Sequence, residues 1–165
     1  MSKVMLFGSS SIRELDVNTK SYIRGFMEQG CEFIVAGGTG IDEAFHMELS
    51  RVGAFDNSFV YKIDGKGTNK YRHNERKLET VYNEESKTAT ILDKNTQQII
   101  DEIYDVESVE SLQKNNKYYQ AVDRLMAREC TVAICVWDGK SKSESSMMDY
   151  LSILNKPCYV NIIPI

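Results

Sequence analysis

Five short apolar runs punctuate this chain: VMLF (4–7), FIVA (33–36), SFVYKI (58–63), TVAICVW (131–137) and CYVNII (158–163). Their alternation with helical segments constrains the fold more than any other feature. Runs dominated by Val, Ile and Phe without polar alternation read as strands buried on both faces. In LDVNTKSYIRGFMEQG, by contrast, Leu15, Tyr22, Ile23, Phe26 and Met27 recur at helical spacing and Gly30 supplies a stop. IDEAFHMELSRVG likewise places Ile41, Ala44, Phe45, Leu49 and Val52 on one face. YYQAVDRLMAREC and SESSMMDYLSILN give two further helices, the second closed by Asn155 ahead of Pro157. A strand that returns through a helix must run parallel to its predecessor, with a right-handed crossover. The expected architecture is therefore α/β: a Rossmann-like, doubly wound, mainly parallel sheet of about five strands, in one domain spanning 1–165.

Residues 64–117 break that rhythm and are expected to form an insertion or lid over the sheet edge. The stretch opens with the basic GKGTNKYRHNERK. It then turns acidic from Tyr82 to Glu110, with eight Asp or Glu against two Lys. Within it, TATILDKNTQQII reads as a hairpin turning at Asp93–Asn95, while TQQIIDEIYDV also fits a helix.

A net charge of −4 argues against broad, sequence-independent nucleic-acid binding, which relies on many Lys and Arg contacts to phosphate, and leaves room for a local basic site. No apolar run approaches the roughly 18–20 residues of a membrane span. MSKVMLFGSS continues as strand and turn, with no cleavage-type pattern, so a cytoplasmic protein is expected. Cys31, Cys130, Cys135 and Cys158 contain no CxxC pair and read as buried thiols; neither a metal site nor a cofactor is expected.

In an open α/β sheet, ligands bind beyond the carboxyl ends of the strands, where strand order reverses. Those ends are furnished here with small polar residues. GSSS follows the first strand (Gly8, Ser9, Ser10), and GGTG the second (Gly37, Gly38, Thr39, Gly40, with Asp42 beyond). DGKS follows the fourth (Asp138, Gly139, Lys140, Ser141), and the last helix opens with Ser145 and Ser146 in its first residues. Glycines, hydroxyls and a lysine at helix starts suit a phosphate or ribose hydroxyls. Each motif alone is also an ordinary turn or cap, and GGTG matches neither the G-x-G-x-x-G spacing nor a P-loop. His46 reads as a packed histidine and His73 as solvent-facing. Lys66, Lys70, Arg72, Arg76 and Lys77 form either a solvated loop or a phosphate clamp, and Trp137 either stacks on a base or packs in the core.

Three stretches resemble the SLOG superfamily, which joins relatives of the DNA-processing protein DprA with nucleotide phosphoribohydrolases and is distantly similar to nucleoside 2-deoxyribosyltransferases. GTGIDEAFH (38–46) resembles the ARGIDxxAH stretch of that family. VDRLMARECTVAICVWDGKSKSESSMMDYLSILNKPCYV (122–160) resembles its closing segment, and VMLFGSSSI its first strand and GSRSI turn. The middle third of the chain is not covered. The resemblance implies a domain that binds a nucleotide or nucleotide-derived small molecule, as a sensor or sequestering module. Its alternative is an N-glycosidic hydrolase or transferase. Asp149 then stands where the deoxyribosyltransferases place a nucleophilic Glu, with Asp138 or Asp123 as proton carrier and Glu144 just before the serines. This chain departs from its relatives in having Ser145 and Ser146 for Gly-Thr, and Glu43 follows the wrong strand to match the phosphoribohydrolase motif. Self-association is common among the relatives, which leaves a homo-oligomer open.

Overall fold

The structure, a computed structural model, describes residues 2–66 and 74–164. Strands β1 (Lys3–Gly8), β2 (Glu32–Ala36), β3 (Ser58–Ile63), β4 (Glu75–Asn83), β5 (Thr88–Asp93), β6 (Ile99–Ile103), β7 (Val132–Trp137) and β8 (Cys158–Ile162) form one eight-stranded sheet. Its order is β6-β5-β4-β3-β2-β1-β7-β8. The strands from β4 to β8 in that order run parallel, and β5 and β6 pair antiparallel at the far edge.

Helices cover both faces. α1 (Val17–Glu28) and α2 (Ile41–Arg51) carry the crossovers β1–β2 and β2–β3, packing Ile23, Ile41, Phe45 and Leu49 against Val4, Leu6, Phe33 and Val35. The opposite face holds α4 (Asn116–Glu129) and α5 (Lys142–Ile153), where Val122, Leu125, Met126 and Leu151 meet Met5, Ile34 and Cys135. Strand residues alternate between these two cores, which is the period of two expected of a sheet covered on both sides. Helix ends follow the sequence signals: Asp16 caps α1 by accepting from the Thr19 N–H at 3.2 Å, and Asn155 turns α5 off at φ 58°.

The expected count of five strands is corrected to eight. Those five are the doubly wound core, β3-β2-β1-β7-β8. The additional three lie in 64–117, followed by the short helix α3 (Val109–Leu112). They escape a search for apolar runs because they alternate: Ala89, Ile91 and Asp93 of β5 are buried while the residues between are half-exposed, and Leu78 is the single buried residue of β4. β4, β5 and β6 lie in the sheet and lengthen it. The hairpin is where TATILDKNTQQII suggested, with Asp93 accepting from the Asn95 N–H at 2.9 Å. Cys31, Cys130 and Cys135 are buried free thiols and Cys158 is half-buried. Among the described residues no helix is long and apolar enough to cross a membrane.

Candidate functional site

Between the parallel strands β1 and β7 the strand order reverses: β1 is followed by β2 on one side, and only after β6 and α4 does β7 return to the other side. At such a switch point the loops diverge and leave a crevice. Here it is a cavity of about 230 Å³, lined among others by Gly8, Ser10, Asp42, Asp123, Glu144 and Met147. Backbone packing brings its walls together. Gly40, at φ 69°, opens α2 so close to the first loop that a Cβ there would lie 2.3 Å from the Ser10 carbonyl oxygen. A Cβ on Gly8 would lie 2.4 Å from the Val136 carbonyl oxygen. Only glycine fits both positions. The glycine-rich turn of residues 37–40 thus serves a close approach of backbones.

Three carboxyl groups from three helices meet in this cavity. Asp42, in the first turn of α2, accepts from the Gly38 N–H at 3.1 Å. Burial, then the charges of Asp123 and Glu144, push its pKa up to about 7. Asp123, from α4, has no hydrogen-bond donor among the described residues; burial and the Glu144 charge push it up to about 6, against the opposing pull of Arg124. Glu144, in the first turn of α5, is 6% exposed and accepts from the Ser143 hydroxyl at 2.6 Å. Arg124 is engaged elsewhere, donating to Asp101 at 2.7 Å and to the Gln120 amide oxygen at 3.0 Å. Among the described residues no group of three His, Cys, Asp or Glu is arranged to hold a metal ion.

The helix starts expected to receive phosphate also carry carboxylates. Carboxylates already occupy the electropositive first turns of α2 and α5, and a phosphate entering there would face like charge at short range. Ser9 is buried and structural: its N–H donates to the Val136 carbonyl at 2.9 Å, and its hydroxyl accepts from the Asp138 N–H at 3.0 Å. Asp138 receives the N–H groups of Lys140 and Ser141, each at 2.8 Å, and the Ser141 hydroxyl at 2.7 Å. Those donors pull its pKa down to about 2 and tie Asp138 into the turn. Trp137 is tied to the same turn, donating from Nε1 to the Ser141 carbonyl at 2.9 Å.

No family model, curated protein or solved structure matches this chain. Asp149 is exposed on α5 and lines neither this cavity nor its neighbour. Gly8, Ser10 and Asp42 line the crevice; Gly37, Gly38, Thr39, Gly40, Gly139, Lys140, Ser141 and Ser145 do not, and Ser146 lines the adjoining cavity. His46 is packed, with Nε2 donating to the Ala36 carbonyl at 3.3 Å and burial holding its pKa down at about 4. Arg76 donates to Asp93 at 2.7 Å and to Glu129 at 3.0 Å, and Lys77 pairs with Glu75 at 3.4 Å. Both belong to β4, and neither forms a clamp at the crevice; Lys70, Arg72 and His73 lie outside the described residues. A larger open groove of about 600 Å³ runs between α1 and α2 past Arg13, Lys20, Glu48 and Arg51. Its Arg51 and Glu48 neutralise each other as an ion pair, and the groove lacks the convergence of strand ends and helices found at the crevice. Sequence reasoning undervalued Glu144, whose signal is legible in retrospect: it shares a helical stripe with Met147 and Leu151 at i, i+3 and i+7.

Proposed function

We propose that the crevice binds a nucleotide-derived small molecule of the kind the SLOG resemblance implies, with the sugar inward and the protein acting as a sensor or sequestering module. The carrying observation is Asp123: a carboxyl group in a cavity with no donor from the described residues. Leaving such a group without a donor costs about 1–3 kcal/mol, more when it is charged. A ligand that brings hydroxyl donors recovers that cost. Ribosyl hydroxyls suit the acceptor-only set of Asp123, Glu144 and ionised Asp42 far better than phosphate oxygens do. The cavity also falls below the roughly 300 Å³ at which drug-sized sites begin, so it accommodates part of such a molecule. Incubation with a panel of nucleosides, nucleotides, NAD and cyclic nucleotides, followed by mass spectrometry of retained and free pools, tests this. An intact nucleoside-type compound retained by the native chain and lost from Asp123→Asn supports the reading; an empty retained pool across the panel removes it.

A second reading, N-glycosidic cleavage, is favoured by the pKa of Asp42 near 7. A carboxyl group holding its proton at neutral pH can donate it to a departing ring nitrogen while Glu144 faces the developing oxocarbenium ion. Water then adds to the anomeric carbon and returns a proton to Asp42, releasing free base and sugar. Free base in solution, abolished by Glu144→Gln, identifies this activity in the same assay.

A further inference from the structure

Between α4 and α5 lies a second cavity of about 150 Å³, lined by Gln120, Asp123, Arg124, Ser143, Ser146, Met147 and Tyr150. Asp123, Ser143 and Met147 line the carboxylate crevice as well, so the two spaces meet across a shared wall. By volume the second holds about five waters at their liquid share of roughly 30 Å³ each, the space of a single heterocycle.

Its hydrogen-bonding character differs from that of the crevice. A guanidinium only donates, so Arg124, at 3.0 Å, fixes the Gln120 amide oxygen toward itself. The amide nitrogen of Gln120 is then left with no protein acceptor among the described residues, and the Ser146 hydroxyl has no partner either. The Tyr150 hydroxyl accepts from Arg128 at 3.0 Å, which leaves its own proton to donate. Met147 and the Tyr150 ring supply apolar walls. The crevice carboxylates thus offer acceptors alone, and the second space adds free donors, beyond the shared Asp123, between flat or flexible apolar surfaces.

We propose that the α4–α5 cavity is the base subsite of the ligand, that it selects heterocycles by an exocyclic carbonyl acceptor in place of an amino group, and that Gln120 and Ser146 set the choice. The inference rests on the reading that the crevice holds the sugar. It fixes a polarity: sugar hydroxyls donate inward to carboxylates, and the base accepts outward from α4 and α5. Carbonyl-edged nucleosides such as uridine and inosine are then preferred over their amino-edged counterparts cytidine and adenosine.

The test compares the dissociation constants of uridine and cytidine, and of inosine and adenosine, for the native chain, Gln120→Glu and Ser146→Ala. Gln120→Glu keeps the shape and the acceptor toward Arg124 but turns the free donor into an acceptor. Gln120 and Ser146 are exposed, so both variants leave the core intact. In the native chain the carbonyl-edged partner of each pair binds about tenfold more tightly, the value of one good hydrogen bond. That ratio inverts in Gln120→Glu and shrinks in Ser146→Ala. Binding with ratios that stay the same in both variants overturns the base subsite and leaves the sugar crevice standing. Failure of all four nucleosides to bind the native chain overturns the functional reading together with it.

Discussion

Asp42 sits where two demands conflict: it must accept the Gly38 N–H to start α2, and it must share a small space with Asp123 and Glu144. Its folded pKa of about 7 lies above the ordinary 3.8, so the folded state holds a proton that the unfolded chain has already released. Stability from this group is complete below about pH 4 and is lost as pH rises through 7. Asp42→Asn keeps an acceptor for Gly38 and carries no charge. Thermal unfolding should therefore show the variant gaining on the native chain between pH 5 and 8, by about 2–4 °C for each kcal/mol relieved. A difference that stays constant across that range would show that the carboxyl group is not perturbed. Occupancy carries the opposite pH dependence, because an ionised Asp42 is the better acceptor for a sugar hydroxyl: retention of a nucleoside should strengthen from pH 5.5 to 7.5.

Elements were the most legible part of the sequence, and the reason is physical. Core strands and their crossover helices are apolar in simple periods, so β1, β2, β3, β7 and β8 declared themselves, as did Gly30 and Asn155 at helix ends. β4 did not, because ERKLETVYN buries Leu78 alone and its charges satisfy partners that are remote in sequence. The turn at residues 37–40 stands out in the sequence, where its glycines favour a ligand over packing; the close approach of Gly40 to Ser10 is a contact between residues thirty apart that no local pattern encodes. Likewise, the resemblance directed attention to Asp149, while the helical stripe that turns Glu144 inward depends on where α5 begins. Gly40→Ala tests the packing role: strain at φ 69° and the clash with Ser10 should cost about 2–4 kcal/mol in urea unfolding, and a neutral outcome would return that turn to the ligand.

Across the whole molecule, Arg76 links the added part of the sheet to the part that carries the site. From β4 it reaches Asp93 in β5, which is 1% exposed, and Glu129 at the end of α4; it also lies over the ring of Tyr61, whose hydroxyl donates to the same Glu129 carboxylate at 2.6 Å. Removing the guanidinium strands a buried Asp93, so Arg76→Ala should destabilise the fold by about 2–4 kcal/mol; coincident unfolding by fluorescence and circular dichroism would show that β4–β6 melt with the core. Asp42 comes from a helix on one face of the sheet, whereas Asp123 and Glu144 come from helices on the other. A molecule held by all three is a rivet through the rim of the sheet. Its arrival would slow amide exchange in α2 and α5 at once, two layers on opposite faces of the same strands, and leave the hairpin of β5 and β6 exchanging at its former pace.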